Sequence, residues 1–167
     1  VYSVRFDGPI GYLVTFRQVD PLFAVDLTDP ESPRVLSTLK IPGFSDYLHP
    51  YQDGLLFGFG QSADPETGIT EGLKLSMFDV SDPTDVSEKH TLPLGYGWSE
   101  ASYNHKAFLI SAERNVIGFP TDAGYRIYGY SEVRGFYLRA ELPIGADPYR
   151  IRGLYIGDTF YVAESDG

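Results

Sequence analysis

With 167 residues, 43% of them hydrophobic and 15% aromatic, the chain can bury a sizeable core as one domain. Its net charge of −10 repels phosphate backbones and argues against nucleic acid as a partner, while zero cysteines exclude disulfides, thiolate metal sites and cysteine nucleophiles. No apolar run approaches the ~18–20 residues that span a bilayer, and the plain reading of the acidity is solubility, with cation binding or a saline or extracellular setting as the sharper one.

The 18 Gly and 12 Pro suit many short strands joined by turns. In chain order, four strands are expected over residues 2–6, 12–17, 22–28 and 34–41. A second set falls at 47–51, 54–60, 73–81 and 88–94, and a third at 102–110, 116–120, 125–131 and 136–144. A fourth set begins with 149–155 and 159–164. No segment sustains the apolar spacing of an amphipathic helix.

The sets repeat. LFAVDLTDPESP, from Leu22 to Pro33, returns 53 positions later as LSMFDVSDPTDV, so Asp26, Asp29 and Pro30 align with Asp79, Asp82 and Pro83. A Pro-Gly stop recurs as IPG, LPLG and LPIG, with Pro42, Pro93 and Pro143 spaced by 51 and 50 residues. The repeats divide at about 1–43, 44–95, 96–145 and 146–167. The third strand of a repeat is apolar on both sides: Leu22 and Ala24 against Phe23, Val25 and Leu27, then Leu75 and Met77 against Phe78 and Val80. A sheet covered on both faces has that pattern, and an open meander does not. The fold class expected is all-β, a β-propeller of about three complete four-stranded blades plus the start of a fourth.

Three and a half blades do not close a ring, so the chain is read as part of a larger propeller whose remaining blades come from the same polypeptide or another chain. The first residue is Val rather than Met and no signal peptide is visible, as expected for a segment of a longer or processed chain.

YLVTF followed by DPLFAVDLTDPESPRVLSTLKIPG resembles the LVIVD-type propeller repeat, in which a hydrophobic strand ending in Asp precedes S/T-D-P-x-x-P. Together, VRFDG, GYLVTFRQVDPLFAVDLTDP, KIPGFSDYLHP, GLKLSMFDVSDP, YNHKAFL and LYIGDTFYV resemble the secreted prokaryotic β-propeller-domain family over nearly the whole chain. The resemblance implies a repeat-built, secreted or cell-surface protein and attaches no reaction to it. YGYSEVRG in the third repeat departs from the DVSDP pattern, so that blade's turn must close by other means.

Antiparallel connectivity puts the connections between second and third strands, and those between repeats, at one rim, here the upper one. The Asp-Pro turns fall at the other. Asp26, Asp29, Asp79 and Asp82 are read as turn formers, with calcium binding as the alternative. Near the start of each first strand stands Arg5, His49, His105 or Arg152. These four would converge at a channel mouth as ligand-binding residues for a carboxylate, phosphate or sugar, unless each pairs with a neighbouring acid or carbonyl. The connection from Gln61 to Gly72 offers Asp64, Glu66 and Glu71 as oxygen ligands for Ca²⁺, without the EF-hand pattern. Trp98, beside Tyr96, is a candidate sugar-stacking or protein-binding residue, with packing over the channel mouth as the alternative.

The templates for serine hydrolases, zinc proteases, phosphate loops and dinucleotide sites are absent, and no carboxylate spacing singles out a catalytic pair. The expectation is a non-enzymatic, exported scaffold for interaction or assembly, with a protein or glycan ligand. The alternatives are a polysaccharide- or peptide-acting hydrolase or lyase with a site at the channel mouth, and a purely architectural blade array.

Overall fold

Alternating short strands and Gly- or Asp-closed turns build an up-and-down antiparallel fold in a computed structural model that describes residues 1, 3–15, 20–143 and 148–164. The expected strand ends at Tyr2, at 16–17 and at Ile144, with part of the 18–21 connection and of the third Pro-Gly stop, lie outside those residues. Two compact units result, Val1–Tyr96 and Gly97–Gly167.

The first unit holds two four-stranded sheets. One consists of β1 (Ser3–Asp7), β2 (Ile10–Val14), β3 (Asp20–Asp26) and β4 (Arg34–Ile41) in that order. The other consists of β5 (Phe44–Gln52), β6 (Leu55–Ala63), β7 (Thr70–Asp79) and β8 (Ser87–Gly95). Tyr12, Val14, Leu22 and Ala24 of the first sheet pack with Leu48, Leu56 and Phe78 of the second, and with Val80 just past β7, in one core. Each such side chain fully removed from water contributes about 1.5–3 kcal/mol for the larger apolar types. The expected two-sided strand is present: Leu75 and Met77, opposite in parity to Phe78, are also fully buried. Polar ties join the sheets as well. Ser3 donates to the Ser45 carbonyl at 2.7 Å, Ser37 to the Pro83 carbonyl at 2.8 Å, and the buried Lys74 ammonium to the Pro42 carbonyl at 2.7 Å. The first Pro-Gly stop is thus the acceptor for a buried lysine.

The Asp-Pro turns are local clasps. Asp29 Oδ1 accepts from the Glu31 amide and the Ser32 amide donates to the Asp29 carbonyl. Asp82 Oδ1 accepts from the amide and hydroxyl of Thr84, and the Asp85 amide donates to the Asp82 carbonyl. Proline at the second position suits such a turn. The preceding aspartates close the strand ends: Asp26 takes the Thr28 amide and the Arg34 guanidinium, and Asp79 takes Ser81 and Lys89.

The second unit holds β9 (Leu109–Ser111), β10 (Val116–Thr121), β11 (Gly124–Ser131) and β12 (Gly135–Leu142), then the hairpin β13 (Ile151–Ile156) and β14 (Thr159–Glu164). Val116, Tyr125 and Ile127 pack against Ile151, with Tyr155, Phe160 and Val162 of the hairpin beside them. The Tyr125 ring needs two glycines: a Cβ on Gly153 would stand 2.2 Å from its hydroxyl, and one on Gly118 would stand 2.8 Å away. The anomalous YGYSEVRG turn closes with Ser131 Oγ accepting the Arg134 amide and Gly135 at φ +74°.

Two expectations are corrected. The first strand of the third set is only three residues long, because Ser99 and Asn104 cap two 3-10 turns, Glu100–Ser102 and His105–Ala107, where strand was expected from residue 102. Pairing of Ser62 with Gly72 and Ala63 with Thr70 shortens the long 61–72 connection to residues 64–69.

Candidate functional site

In the first unit, Arg5 lies in the middle of β1 and His49 on β5, and β1 and β5 are adjacent. The Tyr47 hydroxyl and His49 Nδ1 are 3.0 Å apart. Burial first, and the Arg5 cation second, hold the His49 imidazole below its ordinary 6.5. Burial pushes the Tyr47 hydroxyl up, and Arg5 opposes it. Asp46, the extra residue at a bulge in β5, was not foreseen; burial alone pushes its carboxyl up to about 6. The bulge breaks the alternation that would mark an inward acid in sequence.

In the second unit, Arg152 on β13 forms a bidentate pair with Glu100: its two terminal nitrogens lie 2.8 Å from the two carboxylate oxygens. A further bond of 2.7 Å runs from the guanidinium to the Ile151 carbonyl. Glu100 is buried, and Asn104 donates its side-chain amide to the same carboxylate. His105 occupies the 3-10 turn rather than a strand, and it is exposed.

Trp98 precedes this network on a strapped segment. The Asp122 amide donates to the Trp98 carbonyl at 3.1 Å, and the Ser99 hydroxyl donates to the Pro120 carbonyl at 2.6 Å. Its ring neighbours are Tyr149, with centroids 4.6 Å apart and planes at 53°, and Tyr103 at 6.1 Å and 49°. Tyr103 and Tyr149 are 63% and 55% exposed. An aromatic cluster and a half-buried ion pair are therefore built from the same two segments, 98–104 and 149–152.

The candidate calcium ligands Asp64, Glu66 and Glu71 lie in and beside the 64–69 turn. Asp64 Oδ1 accepts from the amides of Glu66 and Thr67 and from the Thr67 hydroxyl, while Glu71 lies on β7 with Ser62 3.5 Å away. Among the described residues, no group of three or more His, Cys, Asp or Glu side chains gathers as a metal site. A groove of about 360 Å³ lined by Val116, Ile127, Ala140, Leu142, Tyr155 and Phe160 carries one charged side chain, Arg139.

Four-stranded sheets in simple sequence order, repeated with the same turn chemistry, are what a propeller blade requires. A family model described as a beta propeller domain matches residues 1–167. The chain belongs to the beta propeller domain family. It is 40% identical over 162 residues to an uncharacterized protein of Archaeoglobus fulgidus, covering 97% of this chain and 24% of that protein. It is also 38% identical over 120 residues to an uncharacterized protein of Methanocaldococcus jannaschii, covering 72% of this chain and 18% of the relative. The propeller chain thus spans about a quarter or less of the length of these relatives.

Within this propeller segment, Glu100 is, with Asp46, a candidate-site residue that the sequence hid. No repeat marks a carboxylate whose partner lies 52 positions away. The one local signal was Ser99 followed by an acid, the start of a capped turn.

Proposed function

We propose that this propeller segment belongs to a non-enzymatic interaction and assembly scaffold exported to the cell surface or the extracellular space. The remaining blades come from the same polypeptide or another chain. The ligand, a protein or glycan, is taken at the upper rim. The observation that carries this reading is the use of charge at that rim. Arg152, which would serve as an electrophilic or substrate-binding cation, is tied up by the buried Glu100 and by a backbone carbonyl. At the opposite rim, the aspartates of the Asp-Pro turns are engaged in capping backbone amides. The rim of the second unit offers aromatic surface to solvent at Tyr103 and Tyr149, beside the exposed His105, Lys106 and Arg150.

One observation favours a second reading, that of a polysaccharide- or peptide-acting hydrolase or lyase. Asp46 has its carboxyl raised to about 6, a value suited to a general acid, on the strand that carries His49. The two readings part in one experiment. The native protein is localised in cell fractions and then incubated with polysaccharide and peptide panels, beside the Asp46→Asn variant. Surface or secreted protein without turnover fits the scaffold. Turnover lost in Asp46→Asn moves the assignment to the hydrolase, and retention in the cytosol removes the exported scaffold.

A further inference from the structure

We infer that the Trp98, Tyr103 and Tyr149 cluster is a stacking site for an uncharged pyranose ring of a glycan. This rests on the scaffold reading above and adds the ligand class for the rim of the second unit. The three rings are tilted rather than coplanar, at 49° and 53° about Trp98, and Tyr103 and Tyr149 are 63% and 55% exposed. Leaving an aromatic side chain exposed forgoes the gain of its burial, and exposed rings gathered in one place mark a contact surface. Tyr and Trp combine an apolar face with a polar edge, which matches the C–H face and hydroxyl rim of a sugar.

The Trp98 and Tyr103 side of the platform is held in place before any ligand arrives. Trp98 is strapped at its carbonyl by Asp122, and Ser99 is held by Pro120. The 3-10 turns on either side of Tyr103 are capped by Ser99 and Asn104. Preorganisation lowers the ordering cost of binding.

Charge decides between ligands. Arg152 is 37% exposed at its side chain, yet its cation is neutralised by Glu100 at 2.8 Å. Its bonds to Glu100 and Ile151 use three of the five guanidinium N–H groups, leaving two donors on a cation whose charge Glu100 offsets. An anionic group would have to compete with a buried carboxylate already seated there, in a chain of net charge −10. A sugar hydroxyl meets no such opposition.

Trp98 is the sole tryptophan, so its fluorescence reads this site directly. The protein is titrated with maltohexaose, cellohexaose, mannohexaose and chitohexaose, and with hexagalacturonate as the charged counterpart. The expected result is a saturable change with at least one neutral oligosaccharide at a Kd of about 1 mM or tighter. Binding should be roughly tenfold weaker in Tyr149→Ala, retained in Tyr149→Phe, and accompanied by an unchanged Tm. Should Tyr149→Ala not fold, Tyr103→Ala takes its place. Silence toward all four neutral probes, a response to hexagalacturonate alone, or unweakened binding in the alanine variant would overturn the site; silence would point to a protein partner and leave the scaffold standing. New reducing ends in the titrated samples would instead overturn the non-enzymatic reading and leave the stacking site intact.

Discussion

Arg152 grips Glu100 through both terminal guanidinium nitrogens, 2.8 Å to each carboxylate oxygen, and joins the β13 strand to a 3-10 turn 52 positions earlier. One partner is buried and the other partly open, so removal of either is unequal to removal of both. Arg152→Ala leaves the Glu100 carboxylate with Asn104 alone and is expected to cost about 2–4 kcal/mol. The double variant with Glu100→Ala should recover part of that loss. A denaturant double-mutant cycle measures the coupling, and strictly additive costs would mean that the pair does not act as one unit.

Asn115 should be the most demanding turn position in the second unit. It has φ 53°, accepts the Tyr130 amide at 2.7 Å and donates to the Tyr137 hydroxyl at 3.1 Å, and Arg139 binds its carbonyl and that of Arg114. Asn115→Ala loses both side-chain bonds and keeps the left-handed backbone, at an expected cost of about 2–4 kcal/mol. Asn115→Asp, which keeps the acceptor for Tyr130, should lie between the two in Tm. Equal melting of the alanine and aspartate variants would contradict the assignment.

Stability should fall below about pH 4 for one reason, and lose a second contribution as pH rises from about 4 to 6 for another. The Thr28 bonds and Arg34 hold the Asp26 carboxyl down to about 2, and Asp64, Asp79 and Asp82 are lowered by their own turn donors. Groups with depressed folded-state pKa values stabilise above their ordinary 3.8, and that contribution is lost as pH falls through the folded value, here from about 4 towards 2. Asp46 has the opposite sign: its folded value of about 6 exceeds 3.8, so its contribution is present below 3.8 and is lost as pH rises to 6 and beyond. Asp46→Asn is therefore expected to stabilise at pH 7 by on the order of 1 kcal/mol, reduced from the full shift by partial exposure, and to do little at pH 4. Urea midpoints at the two pH values give the test.

The 64–69 turn is held by its own chain. Because Asp64 Oδ1 takes three donors from Glu66 and Thr67, Asp64→Ala should open the turn to proteolysis in calcium-free buffer. A Tm of the unmutated protein that rises with Ca²⁺, with the rise absent in Asp64→Ala, would assign the loop to the ion instead.

Much of the fold was legible because its signals are local and repeated. LFAVD and LSMFD alternate two apolar faces and end in the Asp-Pro turns seen at Asp29 and Asp82, whose bonds all fall within three residues. In the third blade the second to fourth strands were legible, but the turn closure was not, because Ser131 and Gly135 perform it without an Asp-Pro pair, nor was the first strand's extent, because Ser99 and Asn104 bend into turns what composition presents as a strand. The site was legible only in outline. Trp98 and Arg152 stand out as rare residues in loops and at strand starts, whereas Glu100, Tyr103 and Tyr149 acquire meaning only when 98–104 meets 149–152. Asp46 was hidden by a bulge, which no periodicity announces.

The self-contained Asp-Pro clasp has a consequence for how such proteins lengthen. Since Asp29 and Asp82 fasten their turns with atoms from their own next three residues, a duplicated gene segment brings its fastening with it. Copy number is then free to drift over generations, and natural selection is left to act on the inter-strand seams and on the few rim residues that differ from copy to copy.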